Sequence, residues 1–166
     1  LITSKDCPAF GGVYKLAAVK QGDGEFVPKI KLSENTEKIT NPGNKTTYRI
    51  YGKDSHKVIA DIICLVGETF NEDEPLLLFD PIATWKKTLL APGTYTMREL
   101  PVQVFKDGEC VYHSPKVMDI QKYCKEELNT LWDETKRLVN PHEVHVDLSK
   151  PLWDMKHALL DKYHFE

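Results

Sequence analysis

Three features are scarce in this sequence: closely spaced cysteines, long apolar runs and an excess of one charge. Cys7, Cys64, Cys110 and Cys124 show no CxxC spacing, whereas zinc sites usually draw their ligands from close pairs, so we interpret the cysteines as small apolar residues in a reducing compartment. No apolar run approaches the roughly 18 residues of a membrane span. The net charge of −3 over 166 residues gives no reason to expect binding to nucleic acid or to an anionic membrane.

A recognisable catalytic or metal-binding arrangement is also missing from the sequence. His142 and His145 have HxxH spacing, but in a strand such a pair points to opposite faces, which spoils a shared metal. The acidic pairs at residues 126–127 and 133–134 diverge by about 100° if they lie on a helix, so they do not form a glycosidase-type pair. No Ser-His-Asp or Cys-His set stands out. We therefore predict no catalytic residue and no metal ligand in this chain.

The first two-thirds of the chain is punctuated like a β-rich domain. Alternating or β-branched segments are separated by turn residues at positions 21–24, 52–56 and 106–108. This pattern predicts hairpins and antiparallel pairing. The predicted strands cover residues 13–19, 26–32, 46–51, 57–66, 74–80, 85–89, 94–105 and 109–112.

The last third changes from strand to helix periodicity. Ser114 and Pro115 predict a helix start, with Ser114 as N-cap and Pro115 at the first helical position. Apolar residues then recur at steps of three and four, and the helix is expected to end before Pro141. The apolar stripe consists of Val117, Ile120, Cys124, Leu128, Leu131 and Leu138.

A short strand and a second helix complete the pattern. Val144 and Val146 lie between polar neighbours and predict the strand, and the segment beginning at Ser149 predicts a final helix whose apolar residues fall on one side. The predicted fold class is therefore α+β, with an antiparallel β-rich region of hairpins followed by two C-terminal helices.

The most informative stretch is KLSENTEKIT at residues 31–40, followed at once by NPGNK at residues 41–45. It places lysines and hydroxyl side chains around a Pro-Gly turn. Lys31, Lys38 and Lys45 are compact cations, and Ser33 can accept hydrogen bonds from backbone amides. Such a loop suits a phosphate-bearing ligand, although a solvated, lysine-rich hairpin loop has the same composition.

The order and spacing of two motifs point to a family. GGVYKL at residues 11–16, followed by PKIKLSENTEKIT and PGNK, resembles the C-terminal part of the nicotinate phosphoribosyltransferase family. The resemblance is strong over residues 8–51 and looser through LPVQV at residues 100–104, the Ser-Pro helix start, NPHEVHV at residues 140–146 and the last helix. The family commonly has proline where this chain has Thr36.

The resemblance implies an activity and a set of ligands. A type II phosphoribosyltransferase of this family joins nicotinate to phosphoribosyl pyrophosphate, giving nicotinate mononucleotide and pyrophosphate for NAD salvage, with ATP hydrolysis and Mg²⁺ in the full enzyme. It implies a cytoplasmic homodimer. The implied phosphate- or nucleotide-binding residues are Lys15, Lys31, Ser33, Lys38 and Lys45.

The resemblance also implies a domain organisation. The first residue would follow a glycine-rich phosphate turn, so residues 1–10 are expected to be the tail of a catalytic barrel that precedes them. Residues 11–113 would form a β-rich lid or accessory domain, and residues 114–166 a helical region. The chain alone is then expected to be inactive. One alternative is a stand-alone β-rich binding or interaction module. Another is a related nicotinamide or quinolinate enzyme, over which KLSENTEKIT favours the nicotinate enzyme.

Overall fold

A computed structural model describes residues 12–35 and 38–164 of the chain. By the contacts between residues, the chain divides into a smaller unit, which takes the residues up to Asn44 and those from Lys156 onward, and a larger unit, Lys45–Met155. The prediction for residues 1–10 lies outside the described residues.

The smaller unit contains the first predicted hairpin. Strands β1 (Ala18–Lys20) and β2 (Phe26–Pro28) pair antiparallel. Gly22 takes a φ of 58° in the turn between them, a conformation that glycine adopts without a steric penalty. The amide of Lys29 donates to the carbonyl of Ala17 at 2.8 Å. The hairpin is confirmed, although its regular strands are shorter than predicted.

The larger unit is built around a four-stranded sheet in the order β10-β4-β3-β7. Two short antiparallel hairpins, β5–β6 and β8–β9, and helix α1 accompany it. The elements are β3 (Lys45–Gly52), β4 (Val58–Leu65), β5 (Leu76–Phe79), β6 (Lys87–Leu90), β7 (Tyr95–Glu99), β8 (Phe105–Lys106), β9 (Glu109–Cys110), α1 (Val117–Thr130), β10 (His145–Leu148) and α2 (Lys150–His164), which continues into the smaller unit.

The sequence of β4 explains its central place. VIADIICL alternates, and its buried row is Val58, Ala60, Ile62 and Cys64, which are at most 2% exposed. Such alternation is typical of a strand with one face in the core. Ala60 and Ile62 of this row pack in the core with residues of β3, β5 and β7, namely Ile50, Leu78 and Tyr95. The predicted strand over residues 57–66 is confirmed.

Strand β10 joins the sheet in a way that the sequence pattern did not predict. It pairs with β4 in parallel, with His145 opposite Ala60 and Leu148 opposite Ile63. The rest of the sheet is antiparallel, as predicted. A parallel pair needs a long crossover connection, and here the chain between β4 and β10 carries both hairpins, β7 and α1.

Helix α1 differs from its prediction at both ends. Its N-cap is Lys116, without a side-chain cap, so the helix begins two residues after the predicted Pro115. The prediction that it continues towards Pro141 is also wrong, since it ends at Thr130. No residue of α1 is buried, so its apolar stripe does not lie in the core of this structure.

Hydrogen bonds to β4 and to Lys57, the residue before it, lie at the end of helix α1. The ammonium group of Lys57 donates to the carbonyls of Asn129 and Leu131 at 2.6 and 3.1 Å, and thus satisfies groups that have no partner within the helix. The indole of Trp132 donates to the carbonyl of Val58 at 2.8 Å. These bonds direct the chain onto the sheet.

Helix α1 is also joined to the sheet by an ion pair. Arg98 of β7 donates to both carboxylate oxygens of Glu127, at 2.7 and 2.6 Å. Because α1 and β10 both bind the sheet, they belong to the same unit as the strands. The units therefore divide near residues 44 and 155 and not near residue 113, where we expected a boundary.

Helix α2 begins where the sequence predicts. Ser149 precedes it, its carbonyl accepts from the amide of Trp153 at 2.9 Å, and its hydroxyl accepts from the amide of Leu152 at 3.4 Å. Leu152 is fully buried. Within the part of the chain that the structure describes, neither helix has the length and apolar character of a membrane span.

Thiol chemistry tests the burial of β4. Cys64 is buried, its thiol lies 3.9 Å from the carbonyl of Thr46, and burial raises its pKa to about 12. Cys110 and Cys124 are exposed. Because the thiolate is the reactive form, iodoacetamide at about pH 8 should alkylate the two exposed thiols long before Cys64. Mass spectrometry of the peptides would measure the three rates, and equal rates would contradict the described core.

The pair between Arg98 and Glu127 gives a pH-dependent prediction. The hydrogen-bonded guanidinium lowers the pKa of Glu127 from 4.5, so the stabilisation is present above that value and is lost as the carboxylate is protonated. Glu127→Gln should lower the free energy of unfolding by about 0.5–1 kcal/mol at neutral pH. In urea titrations, the loss should shrink as the pH falls below 4.5 and through the lowered pKa of Glu127.

The neighbouring acid is the matched control. Glu126 is exposed and lies 3.8 Å from Lys122, so Glu126→Gln should leave stability within about 0.5 kcal/mol of the wild type. Equal effects of the two substitutions would show that Arg98 does not hold the helix.

Candidate phosphate-binding loop

The lysine-rich loop follows β2 in the smaller unit. Its described part contains residues 31–35 and 38–44. Thr36, where the family commonly has proline, lies outside the described residues. The amide of Lys38 donates to the carbonyl of Asn35 at 3.0 Å. We refer to residues 31–44 as the lysine loop.

The Pro-Gly turn fixes the end of the lysine loop on the hairpin. Pro42 and Gly43 are buried. Gly43 has a φ of 89°, which a residue with a Cβ rarely adopts. Its amide donates at 2.8 Å to the carbonyl of Ala17, which also accepts from Lys29. The predicted bend is thus confirmed. The amides of Gly43 and of Lys29, the residue after β2, donate to the same carbonyl.

A lysine that the sequence reasoning missed also holds this loop. The ammonium group of Lys156, on α2, donates to the side-chain oxygen of Asn41 at 2.8 Å. Lys156 is half-buried, and burial lowers its pKa. A sequence signal was available, because Lys156 lies four residues after Leu152 and four before Leu160 and so falls within the apolar side of the helix.

Beside the loop lies a cavity of about 430 Å³. Of the predicted site residues, only Ser33 lines it, and Ser33 makes no hydrogen bond to any described residue. A phosphate oxygen could accept from this hydroxyl, whereas the acidic Asp161 in the same wall opposes an anion. The lining residues are Leu32, Ser33, Ile39, Leu160, Asp161 and Tyr163.

The predicted lysines have different surroundings. Lys31 and Lys38 are exposed, and each directly precedes a residue that lines the cavity. The ammonium group of Lys15 donates to the carbonyl of Lys38 at 2.5 Å, so it holds the loop backbone. Lys45 belongs to the larger unit, where it begins β3 half-buried, and burial lowers its pKa.

The interpretation of the histidine pair can also be compared with the structure. The expectation that His142 and His145 point apart is wrong, since His142 precedes β10 and the two rings meet edge to face at 6.5 Å. Within residues 12–35 and 38–164, no group of three or more His, Cys, Asp or Glu side chains is placed to hold a metal ion.

A family model coincides with the larger unit. Residues 44–156 match the model described as the nicotinate phosphoribosyltransferase C-terminal domain, and the larger unit is Lys45–Met155. Two independent boundaries, one from sequence families and one from contacts, therefore agree within one residue. The lysine loop lies almost wholly outside the matched residues.

Relatives are similar over nearly the whole chain. A nicotinate phosphoribosyltransferase of Bacillus subtilis is 39% identical over 94% of this chain and 31% of its own length. One from Caenorhabditis elegans is 33% identical over 96% of this chain and 27% of its own length. The chain thus spans less than a third of each of these relatives.

A solved structure shares the fold. The crystal structure of human nicotinic acid phosphoribosyltransferase matches with a TM-score of 0.68 and 24% identity, over 92% of this chain and 27% of that chain. At this identity the match supports the fold alone.

The bond between Lys156 and Asn41 can be tested within the loop. Asn41→Ala leaves a half-buried ammonium group without this acceptor, and we expect local stability to fall by about 1–2 kcal/mol. Amide exchange at Gly43 would measure the loss. Asn44, which is exposed in the same turn, is the control, and Asn44→Ala should leave this exchange rate unchanged. Equal rates for both variants would mean that Lys156 does not anchor the loop.

Proposed function

Because the chain belongs to the nicotinate phosphoribosyltransferase C-terminal domain family, we propose that it forms the C-terminal part of a nicotinate phosphoribosyltransferase. The observation that carries the proposal is the match of residues 44–156 to that domain, which coincides with a self-contained unit of the structure. Relatives that are named as this enzyme match more than nine-tenths of this chain, and they support the proposal.

The proposed reaction is a glycosyl transfer in NAD salvage. The ring nitrogen of nicotinate bonds to C1 of the ribose while the bond from C1 to pyrophosphate breaks, and the leaving pyrophosphate takes the electron pair. Negative charge therefore grows on the phosphate oxygens, and cations and hydrogen-bond donors that are placed beforehand stabilise it.

The lysine loop would contribute to holding such a polyanion. Lys31 and Lys38 are exposed cations of the loop. The hydroxyl of Ser33 lines the cavity and makes no hydrogen bond to a described residue. Lys15 acts indirectly, since it holds the carbonyl of Lys38. Lys45 stays a prediction from the resemblance.

The proposal includes ATP and Mg²⁺ for the whole enzyme. Ammonium and hydroxyl groups suit the phosphates of ATP or phosphoribosyl pyrophosphate, but they are not the oxygen ligands that Mg²⁺ prefers. The lysine loop would therefore hold phosphate and leave the metal to other groups. A homodimer and a cytoplasmic location are proposed from the resemblance, and the chain by itself is expected to be inactive.

An activity assay tests the proposed function. The complete product of the open reading frame that encodes this chain should form nicotinate mononucleotide from nicotinate, phosphoribosyl pyrophosphate and ATP, whereas the 166-residue chain should not. A complete product without this activity, or one that acts on nicotinamide or quinolinate instead, would overturn the proposal.

Kinetics of a loop variant test the role of the two lysines. In the active complete product, Lys31→Ala combined with Lys38→Ala should raise KM for phosphoribosyl pyrophosphate or ATP about tenfold, which corresponds to about 1.4 kcal/mol of lost binding. Lys53→Ala, in an exposed turn of the larger unit, should leave KM unchanged. Unchanged kinetics in the loop variant would remove the lysines from the site while leaving the family assignment intact.

A further inference from the structure

Strand β10 buries an acidic side chain on the core face of the sheet. Asp147 pairs with Ile62, and His145 pairs with Ala60. Side chains at paired positions share a face of the sheet, and both β4 residues are buried. Asp147 is only 6% exposed, whereas Val146, on the other face, is 50% exposed. The strand therefore buries Asp147 beside the core, while Leu148, on the same face as Val146, is also buried, at 3% exposure.

The carboxylate of Asp147 has no hydrogen-bond donor among the residues that the structure describes. Burial raises its pKa; His145 opposes the increase and Asp80 adds to it. Buried polar groups are nearly always hydrogen bonded, and Asp61 of β4 shows the usual arrangement, with two bonds of 2.8 Å from Arg49. The Asp147 carboxylate is not among the side-chain groups that are fully buried without a partner, so it is open to the cavity that it lines.

Asp147 lines a cavity in the larger unit. The cavity lies between β4, β10 and the β5–β6 hairpin and has a volume of about 250 Å³. This volume could hold about eight waters, at roughly 30 Å³ each. Part of its wall is apolar and comes from β4 and β5, and its polar lining consists of Asp80, Lys86, Lys87, Thr88, His145 and Asp147.

The other charged groups of this cavity complement Asp147. The carboxylate of Asp80 accepts from the amides of Ile82 and Ala83 at 2.8 and 2.7 Å, which lowers its pKa. Lys86 and Lys87 are exposed, and the charge of Lys86 contributes to the lowered pKa of Asp80. Neither ammonium group makes a hydrogen bond or a close ion pair with a described residue. The cavity thus offers a carboxylate that accepts no hydrogen bond from a described residue, and two exposed ammonium groups that form no close ion pair with one.

These charges restrict the class of occupant. A metal ion does not fit, because no three metal-ligating side chains of the described residues converge. A simple anion would face Asp147 and Asp80, and a simple cation would face the two lysines. A molecule with a cationic donor at one end and an anionic group at the other meets both requirements.

We propose that this cavity binds a small amine–carboxylate, whose ammonium group pairs with Asp147 and whose carboxylate is held by Lys86 and Lys87. The proposal shares no residue with the lysine loop, so it does not depend on the proposed transferase activity.

Binding of a defined probe tests the proposal. We expect 4-aminobutyrate to shift the amide resonances of β5, β6 and β10 in the ¹⁵N-labelled 166-residue chain, with a Kd on the order of 1 mM. Butyrate and butylamine, which each lack one charged group, should bind about tenfold more weakly. Absence of a saturable shift with 4-aminobutyrate, or equal shifts with all three compounds, would overturn the proposal.

Variants separate the two ends of the ligand. Asp147→Asn should weaken binding of 4-aminobutyrate about tenfold but leave binding of butyrate unchanged. Lys86→Ala combined with Lys87→Ala should weaken binding of 4-aminobutyrate about tenfold but leave binding of butylamine unchanged. Lys53→Ala is the matched control and should have no effect. If Asp147→Asn binds 4-aminobutyrate as the wild type does, the cavity does not recognise an amine through Asp147.

Thermal stability distinguishes a binding residue from a structural one. Folding disfavours the ionised form of Asp147, so removal of its charge should raise Tm by about 2–4 °C near pH 7. The gain should fade as the pH drops through the folded pKa towards 3.8, because the wild-type carboxyl is then neutral. Asp61→Asn, which breaks the pair with Arg49, should instead lower Tm. A lower Tm or failed folding for Asp147→Asn would identify Asp147 as structural and contradict the proposal.

Discussion

The larger unit depends on the burial of a single strand. One face of β4 fills the core with Val58, Ala60, Ile62 and Cys64, and its two edges bind β3 and β10. Groups in or next to this strand also bind the end of helix α1. The carbonyl of Val58 accepts from the indole of Trp132, and the ammonium group of Lys57 donates to the carbonyls at the end of α1. The sheet, the helix and the cavity beside Asp147 are therefore arranged around it.

Local sequence patterns predicted the strands and helices themselves better than where they end and which elements they pair with. The alternation of β4, the Pro-Gly turn and the start of α2 after Ser149 could be read directly, because each depends on neighbouring residues. The end of α1 at Thr130 could not, because the groups that bind there, Lys57 and the carbonyl of Val58 on β4, lie far away in sequence. The parallel pairing of β10 is similarly a tertiary result. Among the site residues, pattern could identify the lysines, but not that Lys15 would bind the loop backbone or that Lys156 would hold Asn41.

Two parts of the chain thus carry different kinds of information about function. Residues 44–156 carry the family match and contain the complete sheet. The lysine loop lies almost wholly outside the matched residues, and its shape depends on the carbonyl of Ala17, Gly43 and the bond from Lys156 to Asn41. A loop whose C-terminal end is held in this way, with exposed cations before it, would suit the charge of the proposed pyrophosphate leaving group, because its groups need little reorganisation. The Asp147 cavity is lined by charges of both signs, Asp80 and Asp147 together with Lys86 and Lys87.

Hydrogen exchange in the complete gene product, with and without phosphoribosyl pyrophosphate, would test the central claim most directly. If the lysine loop contacts the polyanion, amides in peptides covering residues 31–45 should exchange more slowly when the substrate is bound, while those of the β8–β9 hairpin should not change. Substrate that binds without slowing exchange in residues 31–45 would contradict the account.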